Sequence, residues 1–122
     1  MKKILFVEDD EFLGTIYSDI LKSIHDVSVL LINDGKNAYN EILKTDWDLI
    51  ILDALLPELS AVDILNQLKQ FKPEKLKQNI IILTNLEDGK MMDELKQFQY
   101  KIFLKKSLNP DEFLTEIKNL LT

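Results

Sequence analysis

With 122 residues, 46% of them hydrophobic and 30% charged, the chain has material for one domain with a real core and too little for two. Fifteen basic residues against 21 acidic ones leave a net charge of −6, a poor match for nucleic-acid phosphates. Cysteine is absent, which excludes disulfides and thiolate metal sites and fits the cytosol.

The chain opens on MKKILFV, two lysines before an apolar run. That run, Ile4–Val7, ends at EDDE and is too short for the apolar segment of a secretory signal. No apolar stretch approaches the ~18 residues of a membrane span. The expectation is a soluble, cytoplasmic protein without a membrane or nucleic-acid surface.

Short apolar runs then alternate with amphipathic stretches. A first strand is predicted over Lys3–Val7, then a helix with Phe12, Leu13, Ile16, Ile20 and Ile24 on its inner face. His25, the only histidine, ends that helix as a connector. A second strand covers Val27–Ile32. The turn signal Asn33-Asp34-Gly35 follows it and introduces a helix lined by Ala38, Ile42 and Leu43. Trp47 is read as packing before a third strand, Asp48–Leu52. Val62, Leu65 and Leu68 mark the third helix, and Ile80–Thr84 is the fourth strand. Met91, Met92, Leu95 and Phe98 mark the fourth helix, with both methionines read as core filler. The fifth strand is Ile102–Leu104. Asn109 and Pro110 read as N-cap and first position of the last helix, with Glu112 completing a capping box. Phe113, Leu114, Ile117, Leu120 and Leu121 are its inner face.

Five strand–helix units in alternation predict a parallel sheet with helices on both faces and right-handed crossovers. Strands covered on both faces are continuously apolar, as LIIL and IIIL are. Ligands of such folds bind beyond the C-terminal strand ends. Those ends carry Glu8-Asp9-Asp10, Asn33-Asp34, Asp53, Thr84 and Lys105-Lys106. Singly, each is an ordinary solvated acid, cap, strand-end threonine or surface lysine. Together they suggest a site. If the first and third strands are neighbours, three carboxylates converge. Two carboxylates ~4 Å apart repel by roughly 4 kcal/mol at an effective dielectric of ~20, so the cluster calls for a cation or a proton. Oxygen ligands alone point to a hard ion, with Mg²⁺ the first candidate.

From end to end the chain resembles the receiver domain of two-component response regulators. ILFVEDD, LIILDALLP, IIILT and FLKKSLNPDEF carry the resemblance, with the spacings of Thr84, Phe103 and Lys106. It implies a single receiver domain over 1–122: a doubly wound, flavodoxin-like (βα)5 fold with strand order 2-1-3-4-5. It also implies that Asp53 is the phosphoacceptor. Asp9 and Asp53 would bind Mg²⁺ with the carbonyl of Leu55, and Glu8 through water. Lys106 would pair with the carboxylates and then the phosphoryl oxygens. Thr84 would donate to a phosphoryl oxygen and Phe103 would be the aromatic switch. Asp10, one place beyond the acidic pair, would begin a helix. The implied partners are a sensor histidine kinase or histidine phosphotransfer domain, and an output domain or downstream protein. A homodimer through the fourth helix, fifth strand and fifth helix is a further implied contact.

Several positions depart from the family pattern. Ser107 stands where a proline in a cis bond is usual. A cis non-proline bond costs ~2.5–4 kcal/mol, so a trans Lys106–Ser107 bond is expected. Asn85 replaces a small residue after Thr84 and either narrows access or adds a hydrogen bond. Ala61 replaces a glycine, and Gln99-Tyr100 a Gly-Ala pair, with Tyr100 read as core. Leu55 and Leu86, two residues after Asp53 and Thr84, occupy positions that govern acyl-phosphate lifetime in the family. Neither orients a water, which predicts slow dephosphorylation. The alternative function is a non-phosphorylated pseudo-receiver, an interaction module on the same fold. A haloacid-dehalogenase-type phosphohydrolase fits poorly, because Leu55 stands where that family needs an aspartate. Only three glycines argue against a dinucleotide or flavin phosphate loop.

Overall fold

Apolar strands that cannot meet water on either face bury themselves between helices, and this sequence supplies five of each. A computed structural model describes residues 1–122. The strands are β1 (Lys2–Val7), β2 (Val27–Ile32), β3 (Leu49–Asp53), β4 (Ile80–Thr84) and β5 (Lys101–Leu104). They form one parallel sheet in the order β2-β1-β3-β4-β5. The helices are α1 (Glu11–Lys22), α2 (Gly35–Lys44), α3 (Ala61–Phe71), α4 (Lys90–Lys96) and α5 (Pro110–Leu121). This is the parallel sheet with helices on both faces that the alternation predicts, in the flavodoxin-like strand order that the resemblance implies. No helix is long and apolar enough to cross a membrane.

Alternation along the strands divides the core in two. Leu5, Val7, Ile50, Leu52, Ile80 and Ile82 pack with Ala38 and Ile42 of α2, with α3, and with Leu95 of α4. Ile4, Phe6, Leu49, Ile51, Ile81 and Leu83 pack with Leu21 of α1 and with Phe113 and Ile117 of α5. β3 and β4 are buried along their whole length. Each fully buried Leu or Ile there contributes about 1.5–3 kcal/mol.

Caps set the helix starts. Asp10, Asp34, Ser60 and Asn109 each accept a hydrogen bond from the first turn of the helix that follows. The full reciprocal capping box belongs to Ser60 and Asp63. At α5, Asn109 Oδ1 accepts from Asp111 N and Glu112 N, and the reverse bond from Glu112 is absent. Pro110 is the first residue of α5, as its missing N–H permits.

The inner face of α1 differs from expectation. Phe12 is 73% and Ile16 38% exposed, while Gly14, Ser18 and Leu21 are buried. A Cβ on Gly14 would stand 3.3 Å from Leu31 Cδ2, so small residues let this helix approach the sheet closely. Leu43 of α2 also faces outward. Tyr100 joins the core edge, stacked on Phe98, and its hydroxyl donates to Leu76 O at 2.7 Å. Met92 is buried and Met91 packs against the core. The sequence reading contained no element between α3 and β4, where a 3-10 turn runs over Pro73–Lys77.

Candidate functional site

Strand register brings the acids together. Val7 lies beside Leu52 and Asp53 beside Leu83. Glu8, one residue past β1, therefore falls next to Asp53 at the end of β3. Both are nearly inaccessible, at 2% and 4% exposure. Asp9 stays exposed at the rim. One carboxylate oxygen from each of Glu8, Asp9 and Asp53 lies within 4.8 Å of the others.

The cation inside this cluster is Lys105. Its ammonium lies 2.9 Å from Glu8 Oε1 and 3.0 Å from Asp53 Oδ2. Lys106, the lysine expected there, instead pairs with Glu87 at the surface. The reason is strand alternation. Phe103 faces the α1/α5 side, and Leu104 is extended, so Lys105 continues on the side that also receives Glu8 and Asp53. Lys106 lies beyond the strand, in a 3-10 turn over Lys105–Ser107 where alternation no longer applies, and points to the surface. All peptide bonds are trans, Lys106–Ser107 included.

Phe103, the aromatic switch residue that the resemblance implies, packs away from Thr84. Its ring packs edge-to-face on Phe113, centroids 5.8 Å apart, in the α1/α5 layer. Thr84 alternates with Leu83 and so shares the opposite side with Ile80 and Ile82. In this packing the Phe103 ring and Thr84 lie on opposite sides of the sheet. The β5 residues on Thr84's own side are Ile102, which pairs with Ile82, and Leu104, which pairs with Thr84 itself. Thr84 is buried, and its hydroxyl accepts from Leu86 N at 2.9 Å, which leaves its proton available.

Loop geometry completes the site. Leu55 N approaches Asp53 Oδ1 at 3.3 Å, and the Leu55 side chain points into solvent, 54% exposed. Asp10 N donates to Glu8 Oε2, while the Asp10 carboxylate caps α1, the helix-starting role expected of it. His25 is exposed, away from the acids. Trp47 packs at the other end of the strands and donates from Nε1 to Glu41 O.

Burial pushes the Asp53 carboxyl up, and the Glu8 carboxylate adds to the shift. Lys105 offsets part of it and Asp9 raises it further, leaving Asp53 at about 8. For Lys105, burial alone favours the neutral amine, but Glu8 and Asp53 together outweigh it and hold the ammonium above the usual lysine range. The donors fit a hard divalent ion. They are all oxygens, and one from each of Glu8, Asp9 and Asp53 could be shared by such an ion.

Comparison with known proteins agrees. The sequence profile of the response regulator receiver domain matches residues 4–118, and the chain belongs to that family. Among curated proteins, the response regulator ArlR of Staphylococcus saprophyticus is 30% identical over 124 residues, covering 99% of this chain and 53% of that protein. The alkaline phosphatase synthesis transcriptional regulatory protein PhoP of Bacillus subtilis is 36% identical over 84 residues, 68% of this chain and 33% of that one. This chain thus spans about half or less of the length of these relatives. The receiver domain of a putative Luxo repressor protein from Vibrio parahaemolyticus superposes with a TM-score of 0.81 at 28% identity, over 98% of this chain and 89% of that one. The receiver domain of a signal transduction histidine kinase from Syntrophus aciditrophicus gives a TM-score of 0.85 at 24% identity, over 99% and 90%.

Proposed function

We propose that Asp53 accepts a phosphoryl group from a phosphohistidine donor, on a sensor histidine kinase or a histidine phosphotransfer domain. The observation that carries this reading is the side-chain set at one end of the sheet: Asp53 on a wholly buried strand, with Glu8, Asp9 and the Lys105 ammonium around it. A carboxylate oxygen of Asp53 forms the new bond to phosphorus as the donor's phosphorus–nitrogen bond breaks. The imidazole leaves with that electron pair, and the product is an acyl phosphate. Charge spreads over three equatorial oxygens during the transfer. Glu8, Asp9 and Asp53 would hold Mg²⁺, which when bound supplies positive charge to those oxygens. Lys105, already in contact with Asp53, supplies a second cation. Thr84 can offer its hydroxyl proton to a phosphoryl oxygen, with Leu86 N fixing the rotor.

The acyl phosphate brings roughly −1.5 to −2 units of charge to the site. Thr84 is tied to the start of the β4–α4 connection, so its response reaches α4 and the adjoining β5–α5 surface. That face is the contact offered to an output domain, a downstream protein or a second copy. This makes the chain a signalling module that assists its own phosphorylation.

Acetyl phosphate with Mg²⁺ tests the reading. Intact-mass spectrometry is expected to show one added phosphoryl group, absent without Mg²⁺ and absent in Asp53→Asn. A wild-type chain that takes no label would leave the fold as a pseudo-receiver, an interaction module only.

The acyl phosphate is expected to be long-lived. Leu55 is exposed beside Asp53 and Leu86 follows Thr84, and neither side chain can orient an attacking water. Leu55→Asn with Leu86→Glu is expected to speed phosphate loss about tenfold or more. Decay of the labelled mass after donor removal measures this, and equal decay in the two proteins would contradict it.

A further inference from the structure

Lys105 and Lys106 are consecutive, and a small change in the backbone after β5 would exchange which ammonium meets the acids. The structure sends them to different places. The Lys105 side chain is 13% exposed and lies between Glu8 and Asp53. The Lys106 side chain is 56% exposed. Two contacts hold Lys106 outward, and both come from the β4–α4 connection. Asn85 Oδ1 accepts from Lys106 N at 2.9 Å, and the Glu87 carboxylate takes the Lys106 ammonium.

The backbone bond is the more consequential of the two. An exposed ion pair alone contributes little. The N–H of Lys106 belongs to the peptide plane that joins the two lysines. Fixing that plane fixes the direction in which the Lys105 side chain leaves the chain. Glu87 then gives the second ammonium a partner of its own, so it does not compete for Asp53.

We propose that Asn85 and Glu87 are positioning residues that select Lys105 over Lys106 as the cation facing Asp53. This rests on the phosphoacceptor reading of Asp53, and it is tested in two arms so that the two can fail separately.

The first arm needs no phosphorylation. The protein is treated briefly with an amine-acylating reagent, and tandem mass spectrometry locates the label. Lys106 is expected to react several times faster than Lys105 in the wild type. In Asn85→Ala combined with Glu87→Ala the preference is expected to collapse toward equality. Both substituted residues are exposed, so the fold should tolerate the changes. An unchanged preference in that variant overturns the proposal.

The second arm follows labelling by acetyl phosphate with Mg²⁺. Lys105→Met is expected to slow it about tenfold or more, as loss of a charge-stabilising donor does. Adding Asn85→Ala and Glu87→Ala to Lys105→Met is expected to recover most of the rate, because Lys106 can then turn inward. Adding Lys106→Met as well should remove the recovery. No recovery in the triple variant, or recovery that survives loss of Lys106, overturns the selection. If the wild type itself takes no phosphoryl group, the Asp53 reading fails while the acylation arm still decides the clasp.

Discussion

Gly35→Ala is expected to destabilise the fold by about 3 kcal/mol or more, toward the upper end of what overpacking costs. Gly35 is the first residue of α2, and a Cβ there would stand 1.8 Å from Leu59 O and 2.6 Å from Leu59 C. These are backbone atoms, so no side-chain rotation relieves the clash. The loop itself must move, and it is pinned. Gly35 N donates to Pro57 O at 3.0 Å, Leu59 N donates to the same carbonyl, and Ala61 N donates to Ala54 O. Displacing Leu59 therefore strains the connection between Asp53 and α3. The effect should appear both as a lower urea midpoint and as slower acetyl-phosphate labelling. A variant within about 1 kcal/mol of wild type would show that the loop yields freely.

Mg²⁺ is expected to stabilise the protein far more at about pH 9 than at about pH 6, because Asp53 cannot hold a proton and the ion together. Asp53 sits at about 8 in the folded chain, against an ordinary value of 3.8. Between those values the metal-free folded state binds a proton that the unfolded state does not. The Asp53 contribution to stability is therefore complete below about pH 4 and is lost as pH rises through about 8. Mg²⁺ binding displaces that proton, so apparent affinity should climb by up to about tenfold per pH unit and level off above 8. Mass action turns this affinity into a rise in unfolding temperature. Thermal scans with and without Mg²⁺ across this range provide the check, with Asp53→Asn flattening the pH dependence. A Mg²⁺ shift of equal size at every pH would contradict the competition.

Strand positions followed from the sequence because buried parallel strands have no polar alternation to blur them, whereas the strand order came with the family resemblance. Asp53 was recognisable because an acid ends such a strand, and Glu8 and Asp9 because they end its neighbour. Hydrophobicity alone misplaced the inner face of α1. Close packing against Leu31 needs a small residue at Gly14, and Ser18 and Leu21 are buried with it while Phe12 faces solvent. Gly35 was read as a turn residue, yet its conformation is helical and its need is space. The lysine assignment failed on parity. Two adjacent lysines follow β5, and family spacing pointed to Lys106. The strand register places Phe103 beside Leu83 and Leu83 beside Asp53. Two residues past Phe103 on the same side is Lys105. That signal is present in the sequence only once the register is known. The same parity sends Phe103 to the α1/α5 layer.

Side-chain stitching at the far end of the strands has a consequence for how the molecule can relax. There, Lys3 N donates to Asp48, Trp47 N to Gln78, Lys75 to Asp46 and Thr45 O, and Asn79 to both Asp48 O and Leu120 O. These bonds cross-link β1, β3, the 3-10 turn and the end of α5 into a stiff floor. The mouth is held differently, by Lys105 between Glu8 and Asp53 and by Asn85 on Lys106 N, with loop bonds around them. A new charge on Asp53 meets Lys105 and the neighbouring loops directly, and the cross-linked far end is expected to keep its place.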